Sequence, residues 1–262
     1  MISISSKFAT VNEQIEAMHE AGIKNTFIIA GYSKLDEAFE LLDKYNISCN
    51  NFHSEYIGDG FCDNDLWKSG EAGDKMLDVM LKNVLTCKKY GVPIMVIHVP
   101  KDRPEIIKTQ ECVRRYSKLG EFANEHGITI AVENDRYIEN VKFIMSLIPN
   151  SGFCWDVGHE SCLLIEGGHA MPVLGDKLIA LHIHDNHCVQ KQDEHLVPFD
   201  GTIDFEYVAQ DIAKSPFNGT IMLETMYNQN YGLKMSCKEF YIKAQAAARK
   251  IADRVEQIRK GL

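Results

Sequence analysis

Short apolar runs alternate with helix-like segments along the whole chain, and this alternation constrains the fold more than any other feature. The runs are ISIS at 2–5, TFIIA at 26–30, ISCNNF at 47–52, IMVIH at 94–98, ITIAVE at 128–133, GFCWD at 152–156, IALHIH at 179–184 and TIMLET at 220–225. Between them, apolar residues recur on one helical face, as at 35, 38, 39, 41, 42 and 45 of LDEAFELLDKY. Helices are also expected over 12–22, 73–91, 104–127, 137–148 and 203–214, more weakly near 159–177, and from Met235 to Ile258. Thr10, Ser33 and Asp204 are the expected N-caps, and Gly22, Gly91 and Gly127 the expected helix stops. The strand runs are compact rather than alternating, which suits a parallel sheet covered by helices on its outer face. Eight strand–helix units in 262 residues predict an α/β fold, a (β/α)8 TIM barrel forming a single domain over 1–262. The rival, an open doubly wound sheet, calls for G-x-G-x-x-G after a strand, and the sequence has none.

Composition narrows the function. A formal net charge of −9 repels nucleic acid unless a local basic patch overrides it, so nucleic acid is not an expected partner. There is no run of 18 apolar residues, and the N-terminal MISISSKFATVNEQ lacks a basic region followed by an apolar one; neither a membrane span nor a signal peptide is expected. The eight cysteines form no C-x-x-C pair, which points to reduced thiols and a cytoplasmic location. Cys87 and Cys112 fall in helical patterns as small buried residues, whereas Cys188 lies in a polar loop. On the last helix, Ile251, Val255 and Ile258 either close the barrel or contribute to a homo-oligomer.

In a barrel, chemistry gathers at the C-terminal ends of the strands. His53 follows the third run and His98 ends the fourth, Glu133 ends the fifth, and Asp156 ends the sixth with His159 three residues on. The seventh run carries His182 and His184 and is followed by Asp193 and His195, and the eighth carries Glu224. Each histidine alone is readily a packing residue. A carboxylate inside an apolar run is harder to dismiss, because burying it unpaired costs several kcal/mol, roughly, or forces it neutral. Glu133, Asp156, His182 and Glu224 would offer three carboxylates and one imidazole to a divalent metal, a set suited to Mn, Mg or Co and also open to Zn. Adding His53, His98, His159, Asp193 and His195 would favour two or three Zn ions. The same histidines could instead hydrogen-bond a substrate around one ion. The acidic loop from Ile57 to Asp74 carries Phe61 and Trp67, either as a lid over a small substrate or as packing anchors.

The pieces NFHSEY, IHVP, AVEN, CWDVGH, LHIHDN, DEH and MLET together resemble the xylose isomerase-like TIM-barrel superfamily over nearly the whole chain. That group holds sugar isomerases and epimerases, inosose dehydratases and barrel-type apurinic-site endonucleases. Likeness to the epimerase branch implies one metal held by Glu133, Asp156, His182 and Glu224. It also implies that Glu133 and Glu224 exchange a substrate proton from opposite faces and that His159 is catalytic, near substrate oxygens. His184 would then lie just behind the ligands, and Asp185 would orient a histidine through its second nitrogen. Likeness to the endonuclease branch implies that all nine positions hold a three-zinc cluster. The chain departs from that branch in reading Phe199–Asp200 where its members carry a G-x-G-type turn, and in its acidic loops. The expected activity is therefore a metal-dependent isomerase or epimerase of a small sugar, sugar phosphate or cyclitol, working through an enediolate in carbohydrate metabolism. The alternative is a multinuclear-zinc phosphoester hydrolase. A dehydratase would use related chemistry, and a non-enzymatic sugar-binding module would have no need of two buried glutamates at one metal.

Overall fold

The computed structural model describes residues 7–99, 109–163 and 168–261. Helix α1 (Val11–Glu20) starts at a capping box in which Thr10 accepts from the Glu13 amide and the Glu13 side chain accepts from Thr10. It leads to β1 (Asn25–Ile29), α2 (Leu35–Lys44) and β2 (Ser48–His53). A small antiparallel hairpin, β3 (Ile57–Gly58) with β4 (Phe61–Cys62), precedes α3 (Glu71–Tyr90), which stops at Gly91 with φ 68°. Then come β5 (Ile94–Ile97), α4 (Gln110–Glu125), β6 (Thr129–Glu133), α5 (Ile138–Leu147), β7 (Gly152–Asp156) and α6 (Val157–Cys162). The chain finishes with α7 (Met171–Leu174), β8 (Leu178–His182), α8 (Phe205–Lys214), α9 (Gln229–Gly232) and α10 (Cys237–Arg259).

Six strands form one parallel sheet in the order β1-β2-β5-β6-β7-β8. The sheet is curled and open, and its curl brings its two edges together: Phe27 of β1 stacks on His182 of β8 with ring centroids 4.4 Å apart. Alternate residues divide between two environments, as the two-residue period of a strand requires. Met95, Ile97, Ile130, Val132, Phe153, Trp155 and Leu181 join the main core beneath the helices. Val96, Ala131, Cys154 and Ala180 point the other way and pack on each other as a small apolar layer inside the curl.

Only part of the predicted closed eight-stranded barrel is present in these ladders. The run at 2–5 and the start of the expected 104–127 helix lie outside the described residues. The run TIMLET lies beside β8, with the Ile183 amide donating to Met222 O (3.0 Å) and the Glu224 amide to Ile183 O (2.8 Å). Those bonds make one isolated parallel bridge, Ile183 with Leu223, too short a pairing to count as a strand. Of the weak helix expected near 159–177, the described residues show α6, α7 with Pro172 in its first turn, and a 3-10 turn, while 164–167 lie outside them. Ser33 does not cap α2, whose N-cap is Lys34 without a side-chain bond.

Trp67 is buried at 2% exposure and is a packing anchor, and the ring of Phe61 lies against Gly58. Ile251 and Val255 are buried on α10, which packs against α1 and α8, so these two residues close the structure rather than face solvent. All eight cysteines are free thiols; Cys87 and Cys112 are buried and Cys188 is exposed. Among the described residues no helix is long and apolar enough to cross a membrane.

Candidate metal centre

The residues that follow the small apolar layer by two positions are His98, Glu133, Asp156 and His182, so the same inward-facing columns turn from apolar side chains to acids and imidazoles at the C-terminal rim. Glu133 is fully buried and is approached from two sides. Its Oε1 lies 3.0 Å from His182 Nδ1, and its Oε2 lies 3.3 Å from His53 Nε2 and 3.4 Å from His98 Nε2. Glu224 Oε2 is 3.1 Å from the same His182 nitrogen. Asp156 Oδ1 is 3.1 Å from His184 Nε2, and Asp156 Oδ2 is 3.7 Å from His159 Nδ1. Farther round, Asp193 Oδ2 is shared by His159 Nε2 at 3.3 Å and His195 Nε2 at 3.0 Å. All nine sequence-predicted positions therefore converge, and His184 joins them more directly than expected.

Local structure fixes these side chains. The Asn134 side chain clamps the backbone of Asp156, donating to its carbonyl (2.7 Å) and accepting from its amide (2.8 Å). Asp156 in turn caps α6 by accepting from the His159 amide. Gly158 lets the His184 ring approach: a Cβ there would sit 1.8 Å from the ring. His195 holds φ 49°, a conformation that costs a non-glycine residue energy, and its Nδ1 faces Glu224 O at 2.8 Å. Phe199 takes φ 77°, so the backbone adopts a glycine-like turn although no glycine is there. Asp185 does not orient a histidine. It accepts from the amides of Asn186, Phe199, Gly201 and Ile203 and so holds the loop that carries Asp193 and His195. The remaining histidines lie elsewhere: His19 stacks on Tyr45, His126 approaches Phe122 O, His169 pairs with Glu160 and His187 with Glu194.

The acids and imidazoles of the cluster act strongly on one another's charge. Burial alone pushes carboxyls toward the neutral form, and it raises Asp156 to about 6 despite the histidines beside it. Burial also acts on Glu133, Glu224 and Asp193, but positive charge on the adjacent imidazoles outweighs it and holds all three below the usual carboxylate range. The reciprocal effect raises His159 and His182, and the hydrogen bond to Asp193 overcomes burial to lift His195 to about 9. Glu133 Oε2, Asp156 Oδ2 and Glu224 Oε2 are buried without a well-aligned donor. Buried oxygens of this kind, beside imidazole nitrogens at ligand-to-ligand distances, fit a divalent metal. Donor atoms close enough to share one ion include those of His53, His182 and Glu224, and those of Asp156, His159 and His184. His53 and His98 with Glu133, and His159 with Asp193 and His195, form two flanking donor groups.

Sequence reasoning missed Phe27, which braces His182, and Asn134, which sets Asp156. Both were readable in principle, since Phe27 lies inside a strand run and Asn134 directly follows Glu133. Asp63 was missed without any such signal; it is a buried acid of the 57–74 loop, and its Oδ2 lies 3.9 Å from His98 Nδ1.

Two curated relatives carry the description uncharacterized protein. Protein y4fM of Sinorhizobium fredii is 30% identical over 199 residues, covering 69% of this chain and 61% of the relative. Protein MJ1311 of Methanocaldococcus jannaschii is 27% identical over 138 residues, covering 47% of this chain and 44% of the relative. The matches thus span about three fifths of the first relative and under half of the second. Among solved structures, a D-psicose 3-epimerase from Clostridium cellulolyticum superposes with a TM-score of 0.74 at 15% identity, covering 96% of this chain and 97% of the other. The 3-keto-D-glucoside 4-epimerase YcjR of E. coli gives 0.68 at 15% identity, covering 91% and 94%. At such identities these likenesses establish the fold. The model of the xylose isomerase-like TIM barrel matches residues 15–254, and the chain belongs to that family.

Proposed function

We propose that the protein is a metal-dependent isomerase or epimerase of a small sugar, sugar phosphate or cyclitol. The observation that carries this reading is that two buried carboxylates, Glu133 and Glu224, flank one nitrogen of His182 at 3.0 and 3.1 Å. A divalent cation there, Mn, Mg, Co or Zn, supplies a Lewis acid that polarises a carbonyl and a neighbouring hydroxyl and so acidifies the C–H between them. Glu133 ends β6 within the sheet and Glu224 lies in the segment beside β8 at its edge, so the two reach His182 from different elements; one removes the proton and the other returns it through an enediolate. His159 sits between Glu133 and Asp193 and steadies substrate oxygens. Seven of the nine donors are under 10% exposed and only Asp193 and His195, at one side, are more open, which suits a small polyhydroxy substrate and not a polymer. Two structures of the same fold are those of sugar epimerases, which agrees with this assignment.

The test is solvent exchange. Free ketoses and inososes incubated in D2O with the metal-loaded protein should gain deuterium beside the carbonyl, and Glu133→Gln and Glu224→Gln should each abolish the exchange. Absence of exchange with every member of such a set would reject the proposal.

A second reading rests on a different observation, the two flanking donor groups around Glu133 and Asp193. His53, His98, Glu133, Asp156, His159, His182, Asp193, His195 and Glu224 would share two or three Zn ions in a phosphoester hydrolase. It calls for phosphate-ester cleavage without C–H exchange.

We also infer that the 220–225 segment completes the sheet as a (β/α)8 barrel within one domain over 1–262, supported by its bonds to β8 and by Asn50 Nδ2 donating to Thr220 Oγ1 at 3.1 Å. A cytoplasmic setting agrees with eight free thiols.

A further inference from the structure

The second nitrogens of the clustered histidines are held in different ways. With Nε2 turned toward the carboxylates, His53 is left to donate from Nδ1 to Ser54 O at 2.8 Å, and His195 to Glu224 O at 2.8 Å. Nδ1 of His159 lies 3.2 Å from Asn134 O. Backbone carbonyls set these three rings. His98 differs, because its Nε2 points at Glu133 and His53 while its Nδ1 faces a side-chain carboxylate, Asp63. A carboxylate in this place fixes the tautomer of a metal-bound imidazole and makes it a stronger ligand.

Asp63 is 2% exposed, whereas the other acids of its loop are partly or fully exposed. Its amide donates to Tyr56 O at 2.9 Å, and its Oδ1 accepts from the Asn64 amide at 2.8 Å. What turns the loop inward is Arg115 of α4, itself 1% exposed. Its guanidinium donates to the carbonyls of Leu66 (3.1 Å), Lys68 (2.6 Å) and Gly70 (2.8 Å), and its Nε to Asp74 Oδ1 (3.0 Å). Gly73 makes room for it, since a Cβ there would stand 2.3 Å from Arg115 Nη1. A buried guanidinium satisfied mainly by loop carbonyls holds the shape of that loop.

We propose that Asp63 is the positioning residue for His98 in the donor group His53–His98–Glu133, and that Arg115 holds Asp63 in place. The inference rests on that donor group binding an ion. An N–H···O bond needs about 2.9 Å, so a movement of about 1 Å closes the gap between His98 Nδ1 and Asp63. The acidic 57–74 loop is then a support for the metal centre and not a lid.

Zinc titration of the metal-free full chain against a chromophoric chelator tests this, comparing wild type with Asp63→Asn and Arg115→Lys. The wild type should bind at least two ions tightly. Asp63→Asn should weaken one of them by roughly 10–100-fold and leave the others unchanged, and Arg115→Lys should weaken the same ion by less. A wild type that binds two or more ions with Asp63→Asn matching it within about twofold overturns the positioning role alone, on the scale of that expected loss. A wild type that binds a single ion removes His53 and His98 from metal binding, and the inference falls with them. Should Asp63→Asn fail to fold, imidazole nitrogen NMR of the zinc-loaded wild type decides: His98 as the Nδ1–H tautomer with a slowly exchanging proton supports the assignment, and the Nε2–H tautomer overturns it.

Discussion

Two layers of side chains rise from the same strands two residues apart, and their chemistry is opposite. Val96, Ala131, Cys154 and Ala180 make a dry layer of small side chains inside the curled sheet. His98, Glu133, Asp156 and His182 stand directly above it at the rim. The backbone treats both layers alike, as inward-facing positions of parallel strands. The lower layer gains stability by burying apolar surface. The upper one gives up that gain and concentrates negative charge in a site shielded from water, and it needs cations to offset the cost. The division of labour is therefore separable: changes in the upper layer should remove ions and activity, and changes in the lower layer should remove stability.

The largest effect is expected at Glu133, where three histidines meet one carboxylate. Glu133→Gln should lower turnover on the order of 10²–10³-fold and reduce the metal content per chain, read by elemental analysis beside steady-state rates. Full activity with full metal content would erase the distinction between the layers. Next is removal of metal. Chelation should abolish turnover while circular dichroism still reports the fold. Ions at 100 times their Kd contribute about 2.7 kcal/mol, so Tm should fall by roughly 5–10 °C for a chain of this size. In the lower layer, Ala131→Leu should overpack the space beside Val96 and Cys154 and cost about 1–3 kcal/mol in denaturant unfolding, with the number of bound ions unchanged. If the ions are lost instead, the layers are mechanically coupled. The smallest effect belongs to a position remote from both. Ser236 caps α10 by accepting from the Glu239 amide, and Ser236→Ala should cost about 1 kcal/mol with neither metal content nor rate altered.

Much of this contrast could be read before any coordinates. Strand runs ending in an acid or histidine place donors at one rim once the sheet curls, and all nine expected positions meet there. Residues whose role depends on loop shape were not legible. Asp63 is one acid among several in 57–74, and its burial goes with the course of a loop whose Leu66, Lys68 and Gly70 carbonyls are held by Arg115, about fifty residues later. Asp185 was expected to orient a histidine and instead collects four backbone amides, because the course of the 193–203 loop cannot be inferred from its residue types. Phe199 occupies a left-handed turn that sequence rules reserve for glycine. The eighth strand run was read from its apolar character, but a ladder requires partners along its length, and TIMLET shows a single bridge.

Anomalous diffraction at a metal absorption edge, on crystals of the protein as isolated, tests the central claim most directly. The account predicts a peak bounded by Glu133, Asp156, His182 and Glu224, with further peaks, where present, beside His53 and His98 or beside Asp193 and His195. Peaks confined to other parts of the molecule, with Glu133 and Glu224 paired only to histidines, would contradict it.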